Sequence, residues 1–198
     1  MNRTPRMLQL FPVVLLAALF TRTAFAHAGH DHATLESGLM HPLTGIDHIL
    51  AMVAVGLWAF QLGGRAVWAL PLTFVGIMAL GAGLGVGGPE RSWTEHGILA
   101  SVAILGLAIA SAYKVPAYVS MLLVAAFAFC HGYAHGHEAG AGGSFAAYTT
   151  GFMLASASLH ALGLGLGYAI HKFSSMGLVR YAGGAIAAGA VMLWMNAN

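Results

Sequence analysis

The sequence has little charge and almost no cysteine. Only 7% of its 198 residues are Asp, Glu, Lys or Arg, whereas soluble globular domains carry about 25%. So few charges argue against a soluble domain. The single cysteine, Cys130, excludes an intrachain disulfide and a Cys-x-x-Cys metal site. The net charge is +2 without a basic cluster, so nothing indicates binding to nucleic acid.

Enzyme motifs are also missing from the sequence. The only lysines, Lys114 and Lys172, do not follow a glycine-rich phosphate loop, so the chain has no Walker A site for ATP. A His-Glu-x-x-His zinc motif does not occur either. We therefore expect a protein that is not an enzyme and that carries no prosthetic group.

Apolar residues make up 59% of the chain and form six long runs. Each run is near the ~20 residues that a helix needs to cross the hydrocarbon core of a bilayer. The runs span 40–62, 66–87, 97–113, 115–135, 145–171 and 176–196. The sequence therefore predicts an all-α integral membrane protein, a six-transmembrane-helix bundle within residues 39–198 that has the lipid bilayer as its partner.

The first 26 residues have the features of a cleavable signal peptide. Arg3 and Arg6 precede a short apolar stretch, which ends at the small-x-small pattern of 24–26. The alternative is an uncleaved first helix. Cleavage would leave a periplasmic leader, residues 27–38, that contains His27, His30 and His32. This leader could collect metal at the outer face, or it is a polar leader without function.

The basic residues indicate the orientation of the bundle. If the mature N-terminus lies outside, four basic residues fall in cytoplasmic loops, namely Arg65, Lys114, Lys172 and Arg180. Beyond the leader, only Arg91 then falls on the outer side. The positive-inside rule therefore predicts a multi-pass protein of the bacterial inner membrane with both termini in the periplasm.

Two clusters of histidine and acidic residues lie at the ends of apolar runs, both on the predicted outer side. Ionisable groups near a bilayer are costly and often mark ion pathways, and imidazole with carboxylate suits borderline divalent metals. In the second cluster, His131, His135 and Glu138 share one helix face if the helix continues past Gly136. The alternative is a helix end that reaches water, where histidines cost little.

The first cluster contains His41, Asp47 and His48. On one continuous helix His41 and His48 would align, whereas Asp47 would lie about a third of a turn away. Asp47 could bind metal if the helix is unwound near Gly45, or it could orient a neighbouring imidazole. The remaining alternative is that Asp47 and His48 only hydrogen-bond to each other and bind no metal.

His160 lies near the middle of the fifth run. It is a candidate for a deeper relay, although a single buried histidine is more often hydrogen-bonded to a neighbouring helix. Glycines recur at alternate positions in 81–87 and 163–167. They favour close helix packing over local helix breaking.

These residues resemble the motifs of the HupE/UreJ family, membrane proteins linked to maturation of [NiFe] hydrogenase and urease. The resemblance extends over the predicted mature chain. Its first half is His41-Pro42-x-x-Gly45-x-Asp47-His48, followed by Met52 and Val55-Gly56-x-Trp58, and its second half is His131-Gly132-x-Ala134-His135-Gly136-x-Glu138. Two motifs in order are more specific than one.

The resemblance implies a secondary permease that imports Ni²⁺, or less often Co²⁺, with cytoplasmic nickel chaperones as further partners. It also implies that His41, Asp47 and His48, together with His131, His135 and Glu138, carry the metal. Other nickel/cobalt transporters use His-x4-Asp-His, whereas five residues separate His41 from Asp47 here. The rival hypotheses are a membrane metallochaperone or sensor that binds nickel without moving it, and, less favoured, an intramembrane metalloenzyme.

Overall fold

The computed structural model describes residues 33–139 and 143–197. The predicted signal peptide and the leader histidines His27, His30 and His32 lie outside the described residues. Within them the chain forms seven helices and no β-strand. The helices are α1 (Leu35–Thr44), α2 (Ile46–Leu62), α3 (Ala66–Gly85), α4 (Ser92–Ser111), α5 (Ala117–Ala139), α6 (Phe145–Phe173) and α7 (Met176–Ala197).

Five of these helices, α3 to α7, are long and apolar enough to cross a membrane. Helices α1 and α2 pass the same test only as a pair, which is bent by 82°. The described part of the chain is therefore an all-helical, multi-pass membrane protein with five candidate spans, or six if the bent pair counts as one. The most buried helix is α2, in which every residue from Leu50 to Ala59 is buried.

The first predicted helix, 40–62, is wrong as a single straight element. The structure starts this region earlier, at Leu35, inside the segment predicted as a leader, because Thr34 and Ser37 form a capping box there. Helix α1 then ends at Thr44, whose hydroxyl donates to the carbonyls of Met40 and His41. Gly45 has an extended backbone, and α2 begins after it in a new direction.

Two other boundaries differ from the prediction by more than two residues. Helix α4 begins at Ser92 rather than at 97 and is as long as α3, with 20 residues. Helix α5 continues to Ala139, beyond the predicted end at 135. The condition that the helix continue past Gly136 is therefore met, and the whole second motif lies on one helix.

The alternating glycines serve close packing between helices, as the sequence favours. A Cβ on Gly85 of α3 would overlap the carbonyl of Tyr133 in α5, and one on Gly163 of α6 would overlap the carbonyl of Val53 in α2. Gly83 and Gly165 instead face open space. Gly85 and Gly163 thus let two backbones touch, which brings α5 against α3 and α6 against α2.

The bundle has one end rich in histidine and an opposite end rich in lysine and arginine. At the second end the Gln61 side chain donates to the Ile109 carbonyl, and Arg180 donates to Ala110, each over 2.9 Å. These contacts bring together the end of α2, the end of α4 and the start of α7. Four basic residues belong to this end, namely Arg65, Lys114, Lys172 and Arg180.

Candidate metal site

Three imidazoles from three helices meet at the histidine-rich end. His41 of α1, His48 of α2 and His135 of α5 each offer one nitrogen, and these nitrogens all lie within 4.8 Å of one another. The Nε2 atoms of His48 and His135 are only 2.7 Å apart. His48 and His135 are buried, whereas His41 is half-buried at the rim. The two sequence motifs, 87 residues apart, therefore form one cluster.

The bend at Gly45 creates this cluster. Seven residues of straight helix rise about 10.5 Å, yet the ring centroids of His41 and His48 lie 5.4 Å apart. Folding α1 across the start of α2 brings His41 back over His48 and to 4.5 Å from the ring of His135. The corner has no room for a side chain, since a Cβ on Gly45 would lie 2.8 Å from Nδ1 of His48.

A carboxylate orients each of the two buried imidazoles. Asp47 Oδ1 lies 2.7 Å from Nδ1 of His48 and also accepts from the backbone N–H of that residue. Glu138 Oε2 lies 3.0 Å from Nδ1 of His135. Because a carboxylate only accepts, each Nδ1 carries a proton, and in the neutral ring each Nε2 then presents a lone pair. Asp47 thus occupies the orienting position that the sequence left as one of its alternatives.

Glu138 stands at the rim of the cluster rather than inside it. Its side chain is 47% exposed, and its Oε2 lies 3.8 Å from Nε2 of His41. The hydroxyl of Tyr148 in α6 also donates to this oxygen. Glu138 therefore links α1, α5 and α6, and it places a negative charge between the cluster and the surface.

His131 does not join the cluster, although its spacing predicts a shared face with His135 and Glu138. It is fully buried, and its Nε2 lies 3.2 Å from the hydroxyl of Ser101 in α4. Its ring nitrogens do not lie within 4.8 Å of all three nitrogens of the cluster. The ring of His131 instead lies one turn deeper, 5.1 Å from that of His48.

His160 lies deeper again and is 1% exposed. Neither of its ring nitrogens has a hydrogen-bond partner in the described structure, so the expected bond to a neighbouring helix is not present there. Its ring packs edge-on against Phe74 of α3, with centroids 5.0 Å apart. The structure places His160 below the cluster, toward the middle of the bundle.

An open cavity of about 490 Å³ lies beside the cluster. It is lined by the loop after α3, the start of α4 and the end of α5, and Glu90, Glu95 and Glu138 place carboxylates in its wall. Arg91 and His137 also line it, and Nδ1 of His137 donates to the carbonyl of Gly88 over 2.7 Å. The cavity is an acidic vestibule that connects the surface to Glu138.

Comparison with known proteins identifies the family. A family model described as HupE / UreJ protein matches residues 14–193 of the chain. The chain belongs to the HupE/UreJ family. It is also 45% identical over 183 residues to "Protein HupE" of Rhizobium leguminosarum bv. viciae, across 90% of this chain and 94% of that protein. No solved structure matches the chain.

In this HupE/UreJ chain the resemblance seen in the two motifs is confirmed, and the motifs form the two sides of one cluster. Sequence reasoning gave no site role to three residues near it. Glu95 lines the vestibule, Phe152 packs on His135 with ring centroids 4.2 Å apart, and Phe74 contacts both deeper histidines. Glu95 could have been found, because an acidic residue at the start of an apolar helix is unusual. The two phenylalanines could not, because phenylalanine is common in apolar helices.

Proposed function

We propose that this protein is a secondary permease that imports Ni²⁺, with Co²⁺ as a second cargo, for the maturation of metalloenzymes such as [NiFe] hydrogenase or urease. One observation carries the proposal. The carboxylates of Asp47 and Glu138 accept hydrogen bonds from Nδ1 of His48 and His135, so in the neutral rings two Nε2 lone pairs face each other 2.7 Å apart. Membership of the HupE/UreJ family supports it.

Two lone pairs so close repel each other unless a proton or a metal ion lies between them. Imidazole nitrogens that bind one ion at about 2.1 Å and at right angles lie about 3.0 Å apart, which is near the observed spacing. Nitrogen ligands suit nickel and cobalt, whereas Mg²⁺ and Ca²⁺ prefer oxygen. The donor set therefore favours a borderline transition metal.

The charges near the cluster also match a divalent ion. Neutral imidazoles contribute no charge, while Asp47 and Glu138 contribute two negative charges through their hydrogen bonds to His48 and His135. An ion of charge +2 gives a neutral site, which reduces the cost of holding it near the membrane. Three protein ligands leave positions for water, and such a partly hydrated ion can leave again, as conduction requires.

The proposed direction is inward, from the vestibule through the bundle. With an inner-membrane location and a periplasmic vestibule, the membrane potential supplies about 2.3 kcal/mol per charge per 100 mV. For a divalent ion this is roughly 4.6 kcal/mol per 100 mV. Such a gradient drives uptake without an ATP site, in keeping with the missing Walker A motif, and cytoplasmic nickel chaperones would receive the ion.

Uptake of ⁶³Ni by cells that lack other nickel importers tests the proposal. We expect His48→Ala and His135→Ala to abolish uptake, since each removes one of the two facing Nε2 atoms. His96→Ala is the matched control, because His96 lies on α4 at the same end but, among the described residues, hydrogen-bonds only to the carbonyl of Ser92. If both cluster variants transport as well as the His96 variant, the proposed site is wrong.

A nickel-binding protein without transport is the second candidate. Below the cluster the ring of Phe74 is fully buried and packs against both His131 and His160. A closed interior of this kind suits a metallochaperone or sensor as well as one state of a permease. The two functions differ in flux, which only a transport measurement reveals.

A further inference from the structure

We propose that His131 and His160 hold the metal at a second, inner position, and that the ring of Phe74 turns aside to admit it. The proposal deepens the proposed function and rests on it, since an inner position has a purpose only if metal leaves the outer cluster. The outer cluster consists of His41, His48 and His135. The inner position uses different nitrogens, on α5 and α6.

Unpaired nitrogens are the first observation. Buried polar atoms in proteins almost always have hydrogen-bond partners. In the described structure five buried side-chain nitrogen or oxygen atoms have none, and three of them are Nδ1 of His131 and both ring nitrogens of His160. The other two belong to Trp58 and Thr149. Only the imidazoles can offer a nitrogen lone pair to a cation, because the indole N–H is a donor alone.

Continuity with the outer cluster is the second observation. The ring of His131 lies 5.1 Å from that of His48, so it touches the outer cluster. Phe74 follows at 5.4 Å from His131, and His160 at 5.0 Å from Phe74. Each step is a direct ring contact. The series runs inward from α2 through α5 and α3 to the middle of α6.

The two positions differ in charge. Asp47 and Glu138 pair with histidines of the outer cluster, whereas no ion pair in the described part of the chain involves His131 or His160. A divalent ion at the inner position is therefore less well compensated and is held more weakly than at the outer one. An ion that is bound weakly at the inner position is released more readily, as a transport pathway requires.

In the series of ring contacts, Phe74 lies between the two imidazoles of the inner position. Its ring is fully buried and contacts both of them, so one ion can contact both imidazoles, or leave them, only after the ring moves. A phenyl ring offers no ligand and no charge. We expect release from the inner position to be slow because of this ring, and fast once the ring is removed.

Release of bound ⁶³Ni tests the proposal on the purified full-length protein in nanodiscs. After loading, EDTA is added and retained nickel is followed by rapid filtration. The wild-type protein should release nickel in a fast phase, from the outer cluster, and a slow phase, from behind Phe74. His160→Gln should lose the slow phase and keep the fast one, and Phe74→Ala should merge both into a fast phase.

Uptake in cells provides the second readout. Mutation of a group that only orients a metal ligand already lowers metal affinity or activity by about 10- to 100-fold, so the loss of a ligand in His160→Gln should reduce ⁶³Ni uptake at least tenfold. His171→Gln is the matched control, because His171 lies on the same helix and also contacts a phenylalanine, Phe60. It should change neither uptake nor release. Size-exclusion chromatography confirms folding, and His160→Asn replaces the glutamine variant if that one aggregates.

A wild-type protein that releases all its nickel in a single fast phase overturns the inner position. A His160→Gln protein that keeps the slow phase overturns the inner position, even if uptake falls, because His160 would then act only in packing. Uptake and release equal to wild type overturn it as well. A wild-type protein that neither binds nor imports nickel would instead refute the proposed function, and the inner position with it.

Discussion

Replacing Gly45 with alanine perturbs the corner that joins α1 to α2 without removing any ligand. The new Cβ would lie 2.8 Å from Nδ1 of His48 and 2.9 Å from Oδ1 of Asp47. Ordinary van der Waals contact begins at 3.4 Å, so the imidazole must move by about 0.6 Å. Binding sites tolerate displacements of only about 0.5 Å, and the His48–Asp47 hydrogen bond resists the shift.

We expect this variant to bind nickel about 10- to 100-fold more weakly, the usual effect of disturbing the groups that orient a metal ligand. That loss corresponds to about 1.4–2.8 kcal/mol of binding free energy. Equilibrium dialysis of the purified protein against ⁶³Ni measures it. Gly83→Ala is the control, since a Cβ there meets nothing within 4 Å. Equal affinities for the two variants would refute the role of the bend.

Two further predictions concern the orienting carboxylate and the helix contacts. Asp47→Asn removes the negative charge from the hydrogen bond to His48; we expect about 10-fold weaker nickel binding in the same dialysis, and unchanged affinity would contradict the charge argument. Gly132→Ala would force a Cβ into the carbonyl of Met78, so we expect a lower Tm and a loss of about 1–3 kcal/mol of stability. Gly165→Ala faces open space and should leave the Tm unchanged.

Much of the fold follows from hydropathy and a few motifs. Long apolar runs predict membrane helices because backbone groups must pair internally in lipid, and the helices α3 to α7 lie where the runs indicate. Alternation of helix direction then places His48 and His135 at one end, although 87 residues separate them. That the two motifs share one end of the bundle was therefore predictable from topology alone.

The bend at Gly45 was not predictable from hydropathy. The run of 40–62 is apolar on both sides of the glycine, so it indicates one helix. What breaks it is local polar chemistry, namely Thr44 bonding to two α1 carbonyls and Asp47 bonding to the first turn of α2. Those bonds compete with helix continuation only in the folded site, where His41 also gains its contacts.

Helical periodicity also predicts which residues share one side of α5, but not how deep in the bundle each of them lies. His131, His135 and Glu138 do share one side of α5, yet each serves a different layer of the structure. His135 belongs to the cluster, Glu138 to the rim and His131 to the interior. The layer of each residue depends on α3, α4 and α6, whose packing no single segment of sequence encodes.

Nickel flux into sealed proteoliposomes tests the central claim most directly. Purified protein is reconstituted with a fluorescent nickel chelator inside the vesicles, and Ni²⁺ is added outside. The account predicts influx with the wild-type protein, influx with His96→Ala, and none with His135→Ala, which lacks one of the two facing nitrogens. Tight nickel binding by the wild-type protein without any influx would contradict it, and would establish a binding protein in place of a permease.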